Sequence, residues 1–467
     1  MERRIKKLFI SSIVLIVVIS AVLTLPILRG TFAKSKYNVI YIVIDALRAD
    51  HLSNNGYHPA YFETISPNID NLAREGINFK KGFCHASWTL PSHFTMFTSL
   101  YPSVHGMTEP GILPEEFTLM AEVFKKKHYK TGGFVSGGYV KSKFGFDRGF
   151  DIYVDRMDEA PSLTKQALQW LNENPEEKFF IFMHCHEPHV PYDPPAEYRI
   201  SDDYTWEQMW VGSVLFNQKY SQEERAVLYG QDDFRKKVIE LYDAEINYVD
   251  EILGRFFEKL KEENLYDNTL IVLTSDHGEE FMDHGGWSHG WLYDESIHIP
   301  FILKLPGKYR KYNGQVINTQ VGHIDMMPTV IDFANLPLGD LLIQGKTLMP
   351  LIKGKTSEDK NIFVEKHEKI GLRTPDRKFI IDQKGEITYE LYDLKKDPKE
   401  RKNLLLNPTD EILETKKKME EVLAQFTRTN HYFSMRYQVK NREVFDPEEL
   451  KKFKELENDL KSLGYIK

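Results

Sequence analysis

The stretch Thr89-Leu90-Pro91-Ser92-His93 sets a hydroxyl, a proline and an imidazole at the head of an apolar helical pattern. Proline prefers the first position of a helix, so Pro91 predicts Leu90 as the cap residue and Thr89 one step outside. From there the Thr89 hydroxyl would lie near the orphan amides and positive end of the helix, a place suited to anions. A threonine hydroxyl is a weak nucleophile until a base or a metal lowers its pKa. Groups able to hold such a metal stand behind three apolar runs. Asp45 follows YNVIYIVI, Asp276-His277-Gly278-Glu279 follows TLIVLTS, and His186-Glu187-Pro188-His189 comes just after KFFIFMH. Each has a plainer reading alone: Asp45 as the cap of the turn ALRADHL, His189 as a loop residue between prolines. Together they are oxygen ligands plus imidazole at converging strand ends, which is what a divalent cation needs.

The elements that would position these residues are legible in the same runs. YNVIYIVI, KFFIFMH, TLIVLTS and IPFILKL are continuously apolar, as strands buried on both faces of a parallel sheet are. Between them FTLMAEVFKKK and FRKKVIELYDAEINYVDEILGRFFEKLKEE carry apolar residues at helical spacing. The expected class is α/β, a large, mostly parallel sheet flanked by helices, in which ligands collect beyond the carboxyl ends of the strands. Near residue 360 the text changes to short strands separated by turn signals such as QKGE, predicting a small antiparallel sheet. A terminal helix follows, capped by Asp446 and stopped at Gly464. The expected division is residues 1–35, 36–358 and 359–467.

Composition sets the outer limits. With 467 residues, 41% of them hydrophobic, the chain can bury a large core. A net charge of −8 shows none of the basic excess of a nucleic-acid binder, so no nucleic-acid partner is expected. Cys84 and Cys185 are the two cysteines, too few for a disulfide framework or a CxxC zinc site, and read as small buried hydrophobes. At the N-terminus the basic MERRIKK precedes Leu8–Leu28, an uncharged apolar run of bilayer-crossing length. A cleaved signal has a shorter apolar core, so an uncleaved anchor is expected. The positive-inside rule then places the rest of the chain outside the cytoplasm at the cell membrane. Thr31-Phe32-Ala33 leaves cleavage, and hence secretion, open.

Taken in order, IVIDALRAD, SPNIDNLAREGINF, WTLPSHFTMFTSLYPSVHG, HEPHVPYDPP, TSDHGEEFMDHGGWSHG, HIDMMPTVIDFANLP and ELYDLKKDP resemble the sulfatase branch of the alkaline phosphatase superfamily, over Tyr37 to Leu404. The resemblance implies that superfamily's sandwich fold, with Asp45, Asp276 and His277 as metal ligands and Thr89 at the nucleophile position. It implies that His189 contacts the transferred group or the leaving oxygen. His289 falls where many sulfatases have a lysine, for contact with the substrate anion or with a second metal. His105, His284 and His323 are expected to be structural. The implied cation is calcium, manganese, magnesium or zinc.

The departures carry as much information. Sulfatases oxidise the Cys or Ser of a CxPxR sequence to formylglycine, whereas TLPSH replaces both ends of that motif. Oxidised threonine would be a ketone, which hydrates poorly, so direct attack by Thr89 is expected instead. The second Asp of the family's DD pair is Ala46. A threonine with Asp, Asp and His resembles the phosphotransferase and phosphodiesterase members. The expected activity is therefore metal-dependent hydrolysis of sulfate or phosphate esters on a small molecule, glycan or lipid. Two alternatives are transfer of a phosphoglycerol- or phosphoethanolamine-type group to surface glycans or lipids, and an inactive sulfatase-like binding protein.

Overall fold

The computed structural model describes residues 37–175, 177–231, 233–441 and 447–462. Tyr37–Lys467 forms one compact unit. The expected membrane span Leu8–Leu28 and the expected cap Asp446 lie outside the described residues. No helix among the described residues is long and apolar enough to cross a membrane.

An eight-stranded sheet forms the centre of the unit. In chain order its strands are β1 (Asn38–Ile44), β2 (Ile77–Phe79), β3 (Lys130–Val135), β4 (Ile152–Val154), β5 (Phe179–Cys185), β6 (Thr269–Ser275), β7 (Phe301–Lys304) and β8 (Gln315–Ile317). They lie side by side in the order β8-β2-β7-β6-β1-β5-β3-β4. Every residue of β1, β5 and β6 is buried, which explains their unbroken apolar text.

Side chains alternate between the two faces, as a strand requires. Val39, Tyr41 and Val43 join one core, with Phe94 and Phe97 of helix α2 (Thr89–Thr98). Ile40, Ile42 and Ile44 join the other. There they meet Ile69 and Leu72 of helix α1 (Pro67–Glu75), Leu163 of α3 (Ala160–Glu173) and Val249 of α4 (Phe234–Glu262). This is the expected sandwich of helices on both faces of a mostly parallel sheet.

One strand runs the other way. IPFILKL reads like its parallel neighbours, yet β7 pairs antiparallel with both β6 and β2. The loop after β6 holds the SDHGE motif and stays at the carboxyl edge, so the next strand starts from that edge and must return. Burial on both faces makes the text apolar regardless of direction.

After residue 358 four strands, β9 (Ile362–Lys366), β10 (Lys369–Arg373), β11 (Arg377–Asp382) and β12 (Thr388–Asp393), form the small antiparallel sheet that the turn signals predict. Leu372, Phe379 and Leu391 pack on Met419 and Leu423 of the helix Asp410–Asn441. The sheet is fastened to the segment after β6 by charge. Lys378, fully buried on β11, contacts Asp294 at 2.9 Å and Glu400 at 3.0 Å. Cys84 and Cys185 are free and buried.

Removing one member of a buried ion cluster strands the others at a cost of about 3–5 kcal/mol. Lys378→Met is expected to lower unfolding free energy by that order in urea titration. An unchanged midpoint would show that the cluster contributes nothing net.

Candidate active site

Register brings the site together. Ile44 lies opposite Cys185 on one side and Ser275 on the other, so Asp45, His186 and Asp276 emerge level at the carboxyl edge. The chain turns at once after β1, with Ala46 in the left-handed region at φ 60°. The Ala46 amide then donates to Asp276 Oδ1 (3.1 Å), and the Leu47 amide donates to Ser275 Oγ (2.9 Å). Tyr242 of α4 braces the turn, its hydroxyl donating to the Ala46 carbonyl at 2.7 Å.

Thr89 sits differently from the expectation. Helix α2 begins at Thr89 itself, with Trp88 as the cap, and Pro91 is its third residue. The first four amides of a helix have no intrahelical partner, so a proline without its N–H fits the third position as well as the first. Thr89 is buried, and its hydroxyl lies 3.5 Å from His277 Nε2.

Hydrogen bonds to carbonyls settle which imidazole nitrogens carry lone pairs, because a carbonyl only accepts. His277 Nδ1 donates to the Gly278 carbonyl at 2.9 Å, which leaves Nε2 bare. That lone pair faces Asp45 Oδ1 at 3.5 Å and Asp276 Oδ2 at 3.4 Å. Both carboxylate oxygens are buried without a hydrogen-bond partner. Three acceptors thus point at one another, with ligand atoms of Asp45, Asp276 and His277 all within 4.8 Å. Buried acceptors of this kind are costly unless something positive lies between them. The donor set and spacing fit a divalent cation.

The electrostatics of the pocket agree. Burial alone would raise Asp45, but His189, His184 and His186 outweigh it and hold that carboxyl well below its usual range. Burial, then the charge on Asp45, push Asp276 well above its own. The pocket by itself therefore tolerates one negative charge, and a cation is what would let both carboxylates ionise. Burial also raises Glu279 to about 7. The imidazoles move the other way. Burial lowers His189 to about 3, and it lowers His289 to about 4. Burial, then His289, take His277 to about 4.

His189 and His289 both reach the site. The His289 ring lies 4.2 Å from that of His277 and 5.0 Å from that of His189, centre to centre. His189 Nδ1 donates to the Val190 carbonyl at 2.7 Å, leaving its Nε2 bare as well. His289 Nδ1 stands 3.5 Å from Glu279 Oε1. All six residues singled out in the sequence, Asp45, Thr89, His189, Asp276, His277 and His289, belong to one cluster.

The structure adds others. His184, the sixth residue of β5, brings Nε2 to 3.3 Å from Asp45 Oδ2, and His186 Nδ1 lies at 3.8 Å from the same oxygen. His93, one helical turn after Thr89, donates from Nδ1 to the Thr89 carbonyl at 2.8 Å and lies 3.7 Å from Asp276 Oδ2. A histidine inside an apolar strand and one a turn along α2 were the available signals. His323 and His105 instead meet hydroxyls, Ser92 Oγ at 3.1 Å and Thr95 Oγ1 at 3.3 Å, in hydrogen-bonding roles.

A sheet of this order, with a threonine-headed helix and acidic strand ends at its carboxyl edge, defines an alkaline phosphatase-like fold. Residues 37–336 match the sulfatase family, and residues 282–429 match the C-terminal region of N-sulphoglucosamine sulphohydrolase. The chain belongs to the sulfatase family and is an ester-hydrolysing enzyme. An arylsulfatase of Clostridium perfringens is 25% identical over 441 residues, covering 79% of this chain and 90% of its own. The phosphonate monoester hydrolase of Agrobacterium radiobacter shares the fold with a TM-score of 0.69 at 20% identity, over 84% of this chain and 96% of its own. A structure solved in complex with its substrate D-glucosamine-2-N,6-O-disulfate gives 0.65 at 19%, over 87% and 99%.

A group whose pKa is lowered stays unprotonated until the pH falls to the new value. In metal-free protein at about pH 5.5, where a free imidazole is mostly charged, His189, His277 and His289 are expected to be neutral by 15N NMR. An imidazolium at any of the three would show that burial does not lower its pKa in this way.

Proposed function

We propose that this protein is a metal-dependent hydrolase of sulfate or phosphate esters in which Thr89 attacks directly and no formylglycine forms. The observation that carries the reading is the Thr89 hydroxyl 3.5 Å from His277 Nε2, beside the unpartnered oxygens of Asp45 and Asp276. A divalent cation held by Asp45, Asp276 and His277 would supply the positive charge that lowers the pKa of a hydroxyl at its edge.

The protein's own groups do the rest. The start of α2 fixes Thr89, and the bond from His93 to its carbonyl stiffens that first turn. Thr89 Oγ1 attacks sulfur or phosphorus in line, the ester bond breaks on the opposite side, and the transferred group is left on Oγ1. His189 Nε2 is a bare lone pair at neutral pH, so it takes a proton before it can give one. The Thr89 proton leaves to solvent as the hydroxyl ionises, and His189, across the in-line displacement, gives the leaving oxygen a proton taken from solvent. His289, behind His277 and beside Glu279, faces the substrate anion. Water hydrolyses the threonine ester and restores the hydroxyl.

On this reading residues 36–358 carry the chemistry, while 359–467 frame it through the Lys378 cluster. The arylsulfatase relative and the neighbour solved with its glucosamine disulfate substrate support a sulfated substrate. Leu8–Leu28 supports an anchor that leaves the catalytic unit outside the cytoplasm at the cell membrane.

The full chain assayed on an aryl sulfate, a phosphate monoester, a phosphate diester and a phosphonate monoester, across a metal series, tests the reading. Chelation is expected to abolish turnover, and Thr89→Ala is expected to lower kcat/KM by at least about 10³-fold, as loss of a nucleophile does. Undiminished turnover by Thr89→Ala would reject the nucleophile, and full activity after chelation would reject the metal.

A further inference from the structure

We propose a second cation site, separate from Thr89, formed by Glu280, His284 and Glu295. These residues lie where the loop after β6 meets the short helix Asp294–Ile297. His284 Nδ1 is 3.7 Å from Glu280 Oε2 and 3.6 Å from Glu295 Oε2. All three atoms are buried without a hydrogen-bond partner, on side chains 9%, 0% and 4% exposed. Ligand atoms of the three groups lie within 4.8 Å of one another.

The other half of the imidazole says what Nδ1 is for. His284 Nε2 lies 3.1 Å from the Glu400 carbonyl and must donate to it, so in the neutral ring Nδ1 is a lone pair. A metal-ligating histidine almost always donates its second ring N–H in this way, to a carbonyl or a carboxylate. Glu280 is oriented too, because its Oε1 accepts the His284 amide while Oε2 turns inward. The ring stacks on Tyr293 with centres 3.6 Å apart and planes at 10°, which fixes its direction.

A proton on Nδ1 is the competing way to reconcile the two carboxylates. Separations of 3.6 and 3.7 Å are too long for hydrogen bonds. They suit ligands that each stand about 2.0–2.2 Å from a shared ion. The nearby guanidinium does not fill the gap, since Arg48 is committed to Asp50 at 2.8 Å, Asp283 at 3.2 Å and the Glu279 carbonyl at 2.9 Å. Two carboxylates and one imidazole suit a borderline ion such as zinc or manganese.

The place gives the ion a task. Gly278 donates to the Ser296 carbonyl at 2.9 Å, and a Cβ on Gly278 would fall 2.0 Å from the Glu295 carbonyl oxygen. Loop and helix therefore touch backbone to backbone beside the three ligands. An ion there would clamp to the helix the loop that carries Asp276, His277 and His289. Its role is positional, and none of its ligands belongs to the Thr89 cluster.

Metal per chain, measured on the full-length protein stripped and then reloaded with zinc or manganese, tests the site. Glu295→Gln and His284→Gln are each expected to bind one equivalent fewer than wild type. Asp276→Asn should lose ion from the Thr89 cluster, and Asp276→Asn/Glu295→Gln should show both losses. Equal metal in wild type, Glu295→Gln and His284→Gln would overturn the second site and leave the proposed function standing. Loss in Glu295→Gln with none in Asp276→Asn would do the reverse. Should the variants misfold, anomalous diffraction from zinc-soaked wild-type crystals decides. A peak within about 2.2 Å of His284 Nδ1 is expected, and no peak there would overturn the proposal.

Discussion

Two buried carboxylates, Asp45 and Asp276, turn inner oxygens toward a histidine lone pair, and among the described residues neither oxygen has a hydrogen-bond partner. Everything around them holds that unfavourable arrangement in place. The parallel register of β1 with β5 and β6 sets the two strand ends level, the left-handed turn at Ala46 ties the first strand end to the second, and Tyr242 closes the turn from the long helix. The strands that converge here are fully buried, and the donor set they bring together fits a cation.

On the proposed reading, the same constraint is what would let threonine serve as the nucleophile. Its hydroxyl is delivered by the first residue of a helix, already within reach of the charge that would activate it. A residue that must first be converted to an aldehyde needs different support. TLPSH lacks the arginine of that chemistry and has His93 in its place, bonded back to the Thr89 carbonyl. Family membership fixes the scaffold, while these substitutions are the ground for proposing a different nucleophile on it.

Much of this was legible in the amino-acid text, because strands buried on both faces leave long apolar runs and their ends mark where polar side chains converge. Asp45, Asp276, His277 and His189 could be found in that way. The small C-terminal sheet could be found from its turn residues. What the text could not show depends on contacts across long separations. His184 looks like one polar residue in a strand until Asp45 lies beside it, and Glu295 looks like surface until the loop from Glu280 to His284 folds onto it. The direction of β7 was hidden too, since burial makes a strand apolar whichever way it runs. Thr89 was placed one residue outside its helix because Pro91 fits the third position of a helix as well as the first.

The most direct test of the account is mass spectrometry of the full-length enzyme, acid-quenched during turnover of an aryl sulfate or a phosphate ester. The account predicts one sulfo or phospho group on the peptide that contains Thr89, absent without substrate. A modified residue elsewhere, an aldehyde, or turnover with no covalent adduct would contradict it.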